Sequence, residues 1–228
     1  MIQGGAVLFS EMTPPAHREN AFNDWYDGHH SPSHVKGVPG FISAMRYKSD
    51  SGPHYLAVYE LENPETLQHE EYKKRKLTPD NPTYKMLKSV SGFTRYVARE
   101  KFFLARDLNN QSSLDAEFIY CIFFSVPAEQ RLDFGKWFDE EHAAMLQRDS
   151  NWLLSRRMEI VNYDPEPYTD MILHYLSDDS LLESEEYSAA QKTDWGQEFA
   201  KKTWFEPHCV LYRRRRSRFL KVSCKGEK

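Results

Sequence analysis

The stretch FNDWYDGHH, residues 22–30, comes back in the second half of the chain as FGKWFDEEH, residues 134–142. Three further blocks align in the same order along the two halves, with gaps that differ by only a few residues. An internal repeat of this kind indicates that one structural unit occurs twice. The other matched blocks are 6–15 with 118–127, 40–47 with 151–158, and 67–72 with 182–187.

Each unit shows the order strand, helix, strand, strand, helix, strand. In the first unit, alternating or continuous apolar runs mark the strands, and the turn-forming DSGP separates the two central ones. This βαββαβ order is that of a ferredoxin-like unit. The predicted elements are strands at 6–11, 41–48, 54–61 and 92–100, a first helix at 16–30, and a helical region at 63–87 that TPDNP interrupts.

The first helix is recognised by apolar residues spaced three and four apart, which places them on one helix face. Pro32 and Pro39 follow it closely. Because proline lacks the N–H that a helix interior needs, we expect the helix to end at His30. The residues that define the helix face are Phe22, Trp25, Tyr26 and His29.

Two such units in one chain can bury each other's exposed sheet faces. In a ferredoxin-like unit both helices cover one face of the sheet, so the other face is apolar and needs a partner. The sequence therefore predicts an α+β protein, with two tandem ferredoxin-like βαββαβ repeats forming an intrachain α+β barrel and a pocket between each sheet and its helices. The predicted domains are an N-terminal repeat at 1–104, a linker at 105–116, and a C-terminal repeat with a basic tail at 117–228.

Composition is that of an ordinary globular protein, with 40% hydrophobic residues and a formal net charge of -4. Three cysteines without a CxxC spacing favour a reducing, cytoplasmic setting. No run is long enough to span a bilayer, and no leader is recognisable at the start, so we expect no membrane partner. The basic run RRRRSR at 213–218 is interpreted as a solvated strand edge or tail, so we expect no nucleic-acid partner.

A second pattern surrounds the repeated stretch. The run W-Y-D-x-x-H-x-P is followed by VPGF at 38–41 and then by Arg46 and Tyr47. This pattern resembles the EthD-like branch of the dimeric α+β barrel superfamily. The resemblance implies a small-molecule substrate and leaves a homodimer possible. It also implies a set of candidate reactions, since the superfamily contains cyclases, muconolactone-type isomerases, dehydratases, decarboxylases, cofactor-independent monooxygenases and haem enzymes.

The resemblance also implies a role for His30, which would end the first helix and point into the pocket. Asp27 lies three residues earlier, so the two side chains can share one side of the last helical turn. A carboxylate there would hold the imidazole in one tautomer and raise its basicity. The structural alternative is a histidine that merely complements the helix dipole. His142, the matched residue, lacks the proline and the VPGF turn, so we expect it to act on stability or binding.

Two matched arginines are the candidate anion binders. Arg46 and Arg157 sit on predicted strands, where an inward guanidinium would hold a substrate carboxylate or an enolate, while an outward one would be solvated. Tyr59 on the next strand is a candidate pocket hydroxyl. The predicted catalytic set is His30, Asp27, Arg46 and Tyr59, and the predicted substrate-binding set is Trp25, Tyr26, His34, His142 and Arg157.

Other chemistry has weaker signals. Adjacent histidines at a helix end point apart, so residues 29–34 do not predict a metal site. Nothing distinguishes a proximal haem histidine, and we expect no cofactor. His34 is placed in a loop between prolines, and HEEYKKRK at 69–76 is interpreted as a solvated helix face.

The function predicted is that of a cofactor-independent isomerase or lyase. It would perform isomerisation, dehydration or cyclisation by proton transfer on a small aromatic, polyketide-like or ring-cleavage substrate. One alternative is a cofactor-independent monooxygenase of the same superfamily, in which the substrate anion itself reacts with oxygen. The other is a non-catalytic small-molecule-binding protein.

Overall fold

The computed structural model describes residues 2–52, 54–77, 82–106 and 111–221. Within these ranges the strands are β1 (Ala6–Thr13), β2 (Phe41–Lys48), β3 (Tyr55–Leu61), β4 (Ser91–Ala105), β5 (Phe118–Phe124), β6 (Trp152–Asp164), β7 (Asp170–Leu176), β8 (His208–Arg214) and β9 (Phe219–Leu220). The helices are α1 (Glu19–Trp25), α2 (Ser31–Gly37), α3 (Glu70–Leu77), α4 (Pro82–Leu87), α5 (Arg131–Trp137), α6 (Ala143–Leu146), α7 (Glu185–Gln191) and α8 (Asp194–Ala200).

Eight of the strands form one closed antiparallel barrel. Around it they run β3, β1, β4, β6, β7, β5, β8 and β2, and β2 closes the ring by pairing with β3. The two halves join at β4 with β6 and at β2 with β8. The predicted α+β fold with an intrachain barrel is confirmed, because both sheets belong to one chain.

Side-chain alternation divides the apolar residues into three cores. Along β1, Val7 and Phe9 face the barrel interior, while Ala6 and Leu8 face the helices. The interior core draws on strands of both halves, and each half has a further core between its sheet and its helices. Fully burying one such side chain is worth roughly 1.5–3 kcal/mol, so the shared interior favours folding of the two halves together.

A buried ion cluster also connects the halves inside the barrel. Arg156 of β6 donates to both carboxylate oxygens of Glu60 on β3, at 2.7 and 3.1 Å. Its Nε donates to Glu100 on β4 at 2.7 Å. Arg156 and Glu60 are fully buried.

The first helix does not end at His30. It continues from α1 through a π-helical turn (Tyr26–His30) into α2, and Pro32 lies in the first turn of that segment. A π turn recurs at Phe138–His142, where no proline follows. The π turn is therefore part of the repeated motif. In the first half it directly precedes Pro32, whose missing N–H would interrupt the hydrogen bonding of a regular α-helix.

Other boundaries shift as well. β4 runs to Ala105, the first residue of the predicted linker, and residues 111–115 form a short 3-10 turn. Residues 107–110, and most of the predicted TPDNP interruption, lie outside the described residues. The domain boundaries stay a prediction.

Among the described helices, none combines the length and the apolar character that crossing a membrane requires.

Candidate active site

A cavity lies between the sheet of the first half and its helices. Its volume is about 80 Å³. β1, β3 and β4 form one wall, and the helix at 19–37 together with α3 and α4 forms the other. Its lining residues are Leu8, Ser10, Met12, Tyr26, His30, His34, Tyr59, Tyr72, Arg75, Thr83, Leu87, Phe93 and Arg95.

His30 is the last residue of the π turn and is 7% exposed. Its ring lies between three aromatic neighbours, with centroids 4.4 Å from Trp25, 4.7 Å from Tyr26 and 4.5 Å from His34. Its Nδ1 is buried and makes no hydrogen bond within the described residues. A buried polar atom without a partner is costly, so such groups often mark a functional site.

Burial sets the charge of this imidazole. Loss of hydration holds the pKa of His30 well below its usual range, and the nearby His34 and Arg46 lower it further. The ring is therefore neutral at pH 7 and has a nitrogen lone pair available. This reverses the expected basicity, because no carboxylate offsets the desolvation.

His34 lies on α2 and not in a loop, because the helix continues through the π turn. Its Nδ1 donates to the His30 carbonyl oxygen at 2.8 Å. Since a carbonyl only accepts, Nδ1 carries the proton and Nε2 is the acceptor nitrogen of the neutral ring. His34 is buried and lines the same cavity, so two neutral-capable imidazoles lie together there.

Two phenols complete the polar part of this wall. The Tyr59 hydroxyl lies 3.4 Å from the Tyr26 hydroxyl and 3.4 Å from the Ser31 hydroxyl. Burial raises the pKa of both tyrosines, so each phenol stays protonated at neutral pH. They can donate hydrogen bonds to a substrate oxygen.

Asp27 does not orient His30. Its Oδ1 accepts from Arg46 Nη1 at 2.6 Å, and its Oδ2 forms ion pairs with Arg216 Nη1 at 3.0 Å and with Arg215 Nε at 3.6 Å. The π turn is wider than an α-helical turn, so residues three apart no longer share one face. The expected Asp27 to His30 contact is therefore wrong.

Arg46 is also not in the cavity wall. Its two terminal nitrogens donate to Asp27 and, at 3.1 Å, to Asn23 Oδ1. Its guanidinium carbon lies 4.2 Å from the centre of the Tyr26 ring. The predicted substrate contact of Arg46 is replaced by a structural one, which holds the helix at 19–37 against β2.

The basic run at 213–218 is not a solvated tail. Arg215 and Arg216 pair with Asp27, and Arg218 pairs with Asp115 at 2.7 Å while donating to the Ser43 hydroxyl. The end of the second half thus lies on the first half, beside the helix that carries His30.

The sequence analysis missed most of the cavity lining, including Tyr72, Arg75 and Arg95. Tyr72 and Arg75 belong to α3, which was interpreted as solvated, and Arg95 belongs to β4. The spacing of Tyr72 and Arg75, three residues apart, is that of neighbours on one helix face. Alternation along β4 places Arg95 on the same side as Phe93, so a period-two analysis of that strand would have found it.

In the second half, core side chains stand at two positions that match cavity residues of the first half. Tyr120 stands where the first half has Leu8, and Leu146 stands where it has His34. His142 Nδ1 donates to the Ala190 carbonyl oxygen at 3.0 Å, and burial lowers the pKa of His142 to about 4. Arg157 makes two hydrogen bonds to Asp139, at 2.9 and 2.6 Å. Both groups are therefore committed to internal partners.

Trp25 and its repeat partner behave alike. Trp25 packs on His30, and Trp137 packs on His142 with ring centroids 4.6 Å apart. Of the predicted site residues, the structure brings Tyr26, His30, His34 and Tyr59 to one cavity and leaves Asp27, Arg46, His142 and Arg157 outside it. In the part of the chain that the structure describes, no three His, Cys, Asp or Glu side chains converge as a metal-ligand set.

Comparison with known proteins shows the fold alone. No family model matches the sequence, and a search of curated proteins finds no match. An anthrone oxidase-like protein superposes with a TM-score of 0.68 at 12% identity, covering 95% of this chain and 93% of its own. A candidate monooxygenase from Lactobacillus acidophilus gives 0.56 at 10% identity, covering 92% and 94%. A mutant chlorite dismutase from Candidatus Nitrospira defluvii, in complex with cyanide, gives 0.53 at 12% identity, covering 93% and 92%.

These neighbours are dimeric α+β barrel folds. The chain has that fold, built here from its own two halves.

Proposed function

We propose that the protein is an enzyme that removes a proton from an aromatic or polyketide-like substrate and lets the resulting anion react with dioxygen. The observation that carries this proposal is a neutral His30 in the cavity lining, whose buried Nδ1 has no hydrogen-bond partner among the described residues. A solvated histidine at a helix end, with its ordinary pKa, would not by itself support a catalytic role. The oxidase and monooxygenase names of the structural neighbours favour this reaction over the isomerase or lyase predicted from sequence.

The proposed reaction proceeds in three steps. His30 takes a proton from an activated CH₂ group, and the charge spreads into the conjugated ring system, where Tyr59 and Tyr26 donate hydrogen bonds to its oxygen. The anion adds to dioxygen and forms a C–O bond, giving a peroxide that regains the proton from His30. Loss of water, with the second hydrogen of the CH₂ group, leaves a ketone, so R₂CH₂ and O₂ become R₂C=O and H₂O.

The second candidate is an isomerase or lyase. It shares the first step, and it differs in that the anion is reprotonated elsewhere or expels a leaving group. The pair of imidazoles, His30 and His34, favours this candidate specifically, because one ring can accept a proton while the other returns one. A non-catalytic binding protein would need neither base.

Several further assignments belong to the same proposal. We place the protein in the EthD-like branch on the strength of its W-Y-D-x-x-H-x-P run, as a cytoplasmic protein able to form a homodimer and acting without a bound cofactor. If that last assignment is right, the purified protein will show neither a Soret band nor a stoichiometric metal by elemental analysis. A Soret band or a stoichiometric metal would contradict the assignment of a reaction without a cofactor.

Oxygen uptake separates the two candidates. With anthrone as the probe, the wild-type protein is expected to consume one dioxygen per anthrone converted, and the His30→Ala variant to lose roughly a hundredfold or more of the rate, as for other general bases. Anthrone turnover without oxygen uptake would move the assignment to the isomerase or lyase. Oxygen uptake that is the same in His30→Ala would remove His30 from the chemistry.

A further inference from the structure

The charges around the cavity are one-sided. Two guanidinium groups, Arg75 and Arg95, line it, and no Asp or Glu appears among its described lining residues. The two imidazoles there are neutral or positive, never negative. A cavity with this lining attracts negative charge, and its apolar walls strengthen the attraction.

Arg95 is the less compensated of the two. Its Nη1 donates to the Asn162 side-chain oxygen at 2.9 Å, and its Nη2 donates to the Tyr72 hydroxyl at 3.4 Å. Both partners are neutral. Its Nε is buried and has no hydrogen-bond partner, and Arg95 makes no ion pair with any carboxylate in the described part of the chain.

Arg75 is held on the opposite wall by backbone oxygens. Its Nη1 donates to the Glu71 carbonyl, and its Nη2 donates to the Ser33 carbonyl at 3.4 Å. The Ser33 contact links α3 to α2, which also carries His34. Arg75 also forms an ion pair with Glu71, with its Nη1 3.9 Å from Glu71 Oε2, so the argument for an anion site depends on Arg95.

We propose that the substrate enters this cavity as a planar anion and that Arg95 binds its acidic group. The ligand class is an aromatic or polyketide-like compound carrying a carboxylate or an ionised phenol. This inference rests on the proposed function, since it assigns the substrate of that same site. Arginine binding would also assist proton removal by His30. The negative charge left on the substrate can delocalise toward the acidic group that Arg95 stabilises.

Binding tests the inference without turnover. The probes are 2-naphthoate and 2-naphthamide, which share one shape and differ in charge, with affinities measured by calorimetry at pH 7. A charge-assisted hydrogen bond to arginine predicts that wild-type protein binds naphthoate about tenfold or more tighter than naphthamide. Arg95→Gln is expected to abolish that preference.

The matched control is Arg99→Gln. Arg99 lies on the same strand, is half exposed, and pairs with Glu65 at 3.3 Å outside the cavity. This variant should keep the full naphthoate preference. Arg95→Lys keeps the charge and loses the planar fork, so it is expected to retain part of the preference and serves if Arg95→Gln does not fold.

Equal affinity of wild-type protein for both probes, or an undiminished preference in Arg95→Gln, would overturn the inference. A parallel titration with 2-naphthol across its ionisation distinguishes a phenolate site from a carboxylate site, and tightening with either anion supports the proposal. His30→Ala should keep the charge preference. A preference that persists while His30→Ala keeps full activity would therefore contradict the proposed function and leave the anion site standing.

Discussion

The most informative residue is a histidine whose environment makes it neutral. Leaving a buried donor or acceptor unpaired costs about 1–3 kcal/mol, and His30 Nδ1 has no partner among the described residues. Its repeat partner avoids that cost, because His142 donates to the Ala190 carbonyl. The same residue type in the same π turn thus has two hydrogen-bonding environments, and we propose that the one without a bond is the one that acts on a substrate.

The free energy of unfolding should decrease at acid pH because the buried histidines have lowered pKa values. Burial lowers the pKa of His142 from 6.5 to about 4, so between these values the unfolded chain takes up a proton that the folded chain refuses. Folding stability is therefore full above about pH 6.5 and falls toward pH 4, by about 3 kcal/mol from this residue. His30 and His174 shift in the same direction.

Urea unfolding at pH 7, 6, 5 and 4 measures this effect. The Gln side chain of His142→Gln can still donate to the Ala190 carbonyl. We expect this variant to show a weaker pH dependence of the free energy of unfolding, by the equivalent of about one proton. The reference is wild-type protein measured in the same buffers. An unchanged slope in the variant would show that His142 is protonated in the folded state.

At the scale of elements, the repeat predicted more than any local pattern. Matching 22–30 with 134–142 gave the strand order and the barrel, because a duplicated half-barrel leaves few other ways to bury its open face. The helix end was placed wrongly, since a proline rule written for α-helices does not describe a π turn. That one error also misplaced His34 and the Asp27 contact.

Site residues could be predicted where the residue types and their spacing along one helix were sufficient. They could not be predicted where tertiary contacts determine the position of a side chain. Tyr26 and His30 follow from the helix face. Arg46 could not be assigned, because only the folded chain shows Asp27 and Asn23 taking its donors. Arg75 and Arg95 come from elements distant in sequence, and a charged residue on a helix or strand is solvated more often than not.

The glycines of the first helix and its exit differ in what they tolerate. A Cβ at Gly28, inside the π turn, would meet nothing within 4 Å, so Gly28→Ala should stabilise the protein by up to about 1 kcal/mol. Gly40 has φ +83° and a Cβ there would lie 2.5 Å from Thr66 Oγ1, so Gly40→Ala should destabilise it by about 1–2 kcal/mol or more. Urea midpoints of the two variants check the contrast, and a stabilising Gly40→Ala would contradict the turn geometry.

At the scale of the whole molecule, the barrel interior makes the two halves interdependent. We propose 1–104 and 117–228 as the two repeats, and Arg156 joins them by bonding to Glu60 and Glu100. Removing Arg156 leaves Glu60 and Glu100 as buried carboxylates without the cation that both of them pair with. For that reason a buried ion cluster is costly to break even where it adds little net stability.

Arg156→Ala should therefore lower the free energy of unfolding by about 3–5 kcal/mol. Arg99→Ala, which removes an exposed ion pair with Glu65 of the 3-10 turn Pro64–Gln68, should cost about 1 kcal/mol or less. Denaturant unfolding followed by tryptophan fluorescence and by far-ultraviolet circular dichroism gives both values. Equal small losses would mean that the cluster is hydrated in solution.

We propose that His30 removes a proton from the substrate, and hydrogen exchange measures that step directly. Anthrone in deuterated buffer without oxygen exchanges its CH₂ hydrogens, and proton NMR follows the loss of their signal. We expect that wild-type protein accelerates this exchange and that His30→Ala loses roughly a hundredfold or more of the acceleration. His142→Ala, normalised to the amount of folded protein, should retain it. Exchange that proceeds equally in His30→Ala, or that disappears in His142→Ala instead, would contradict the proposal.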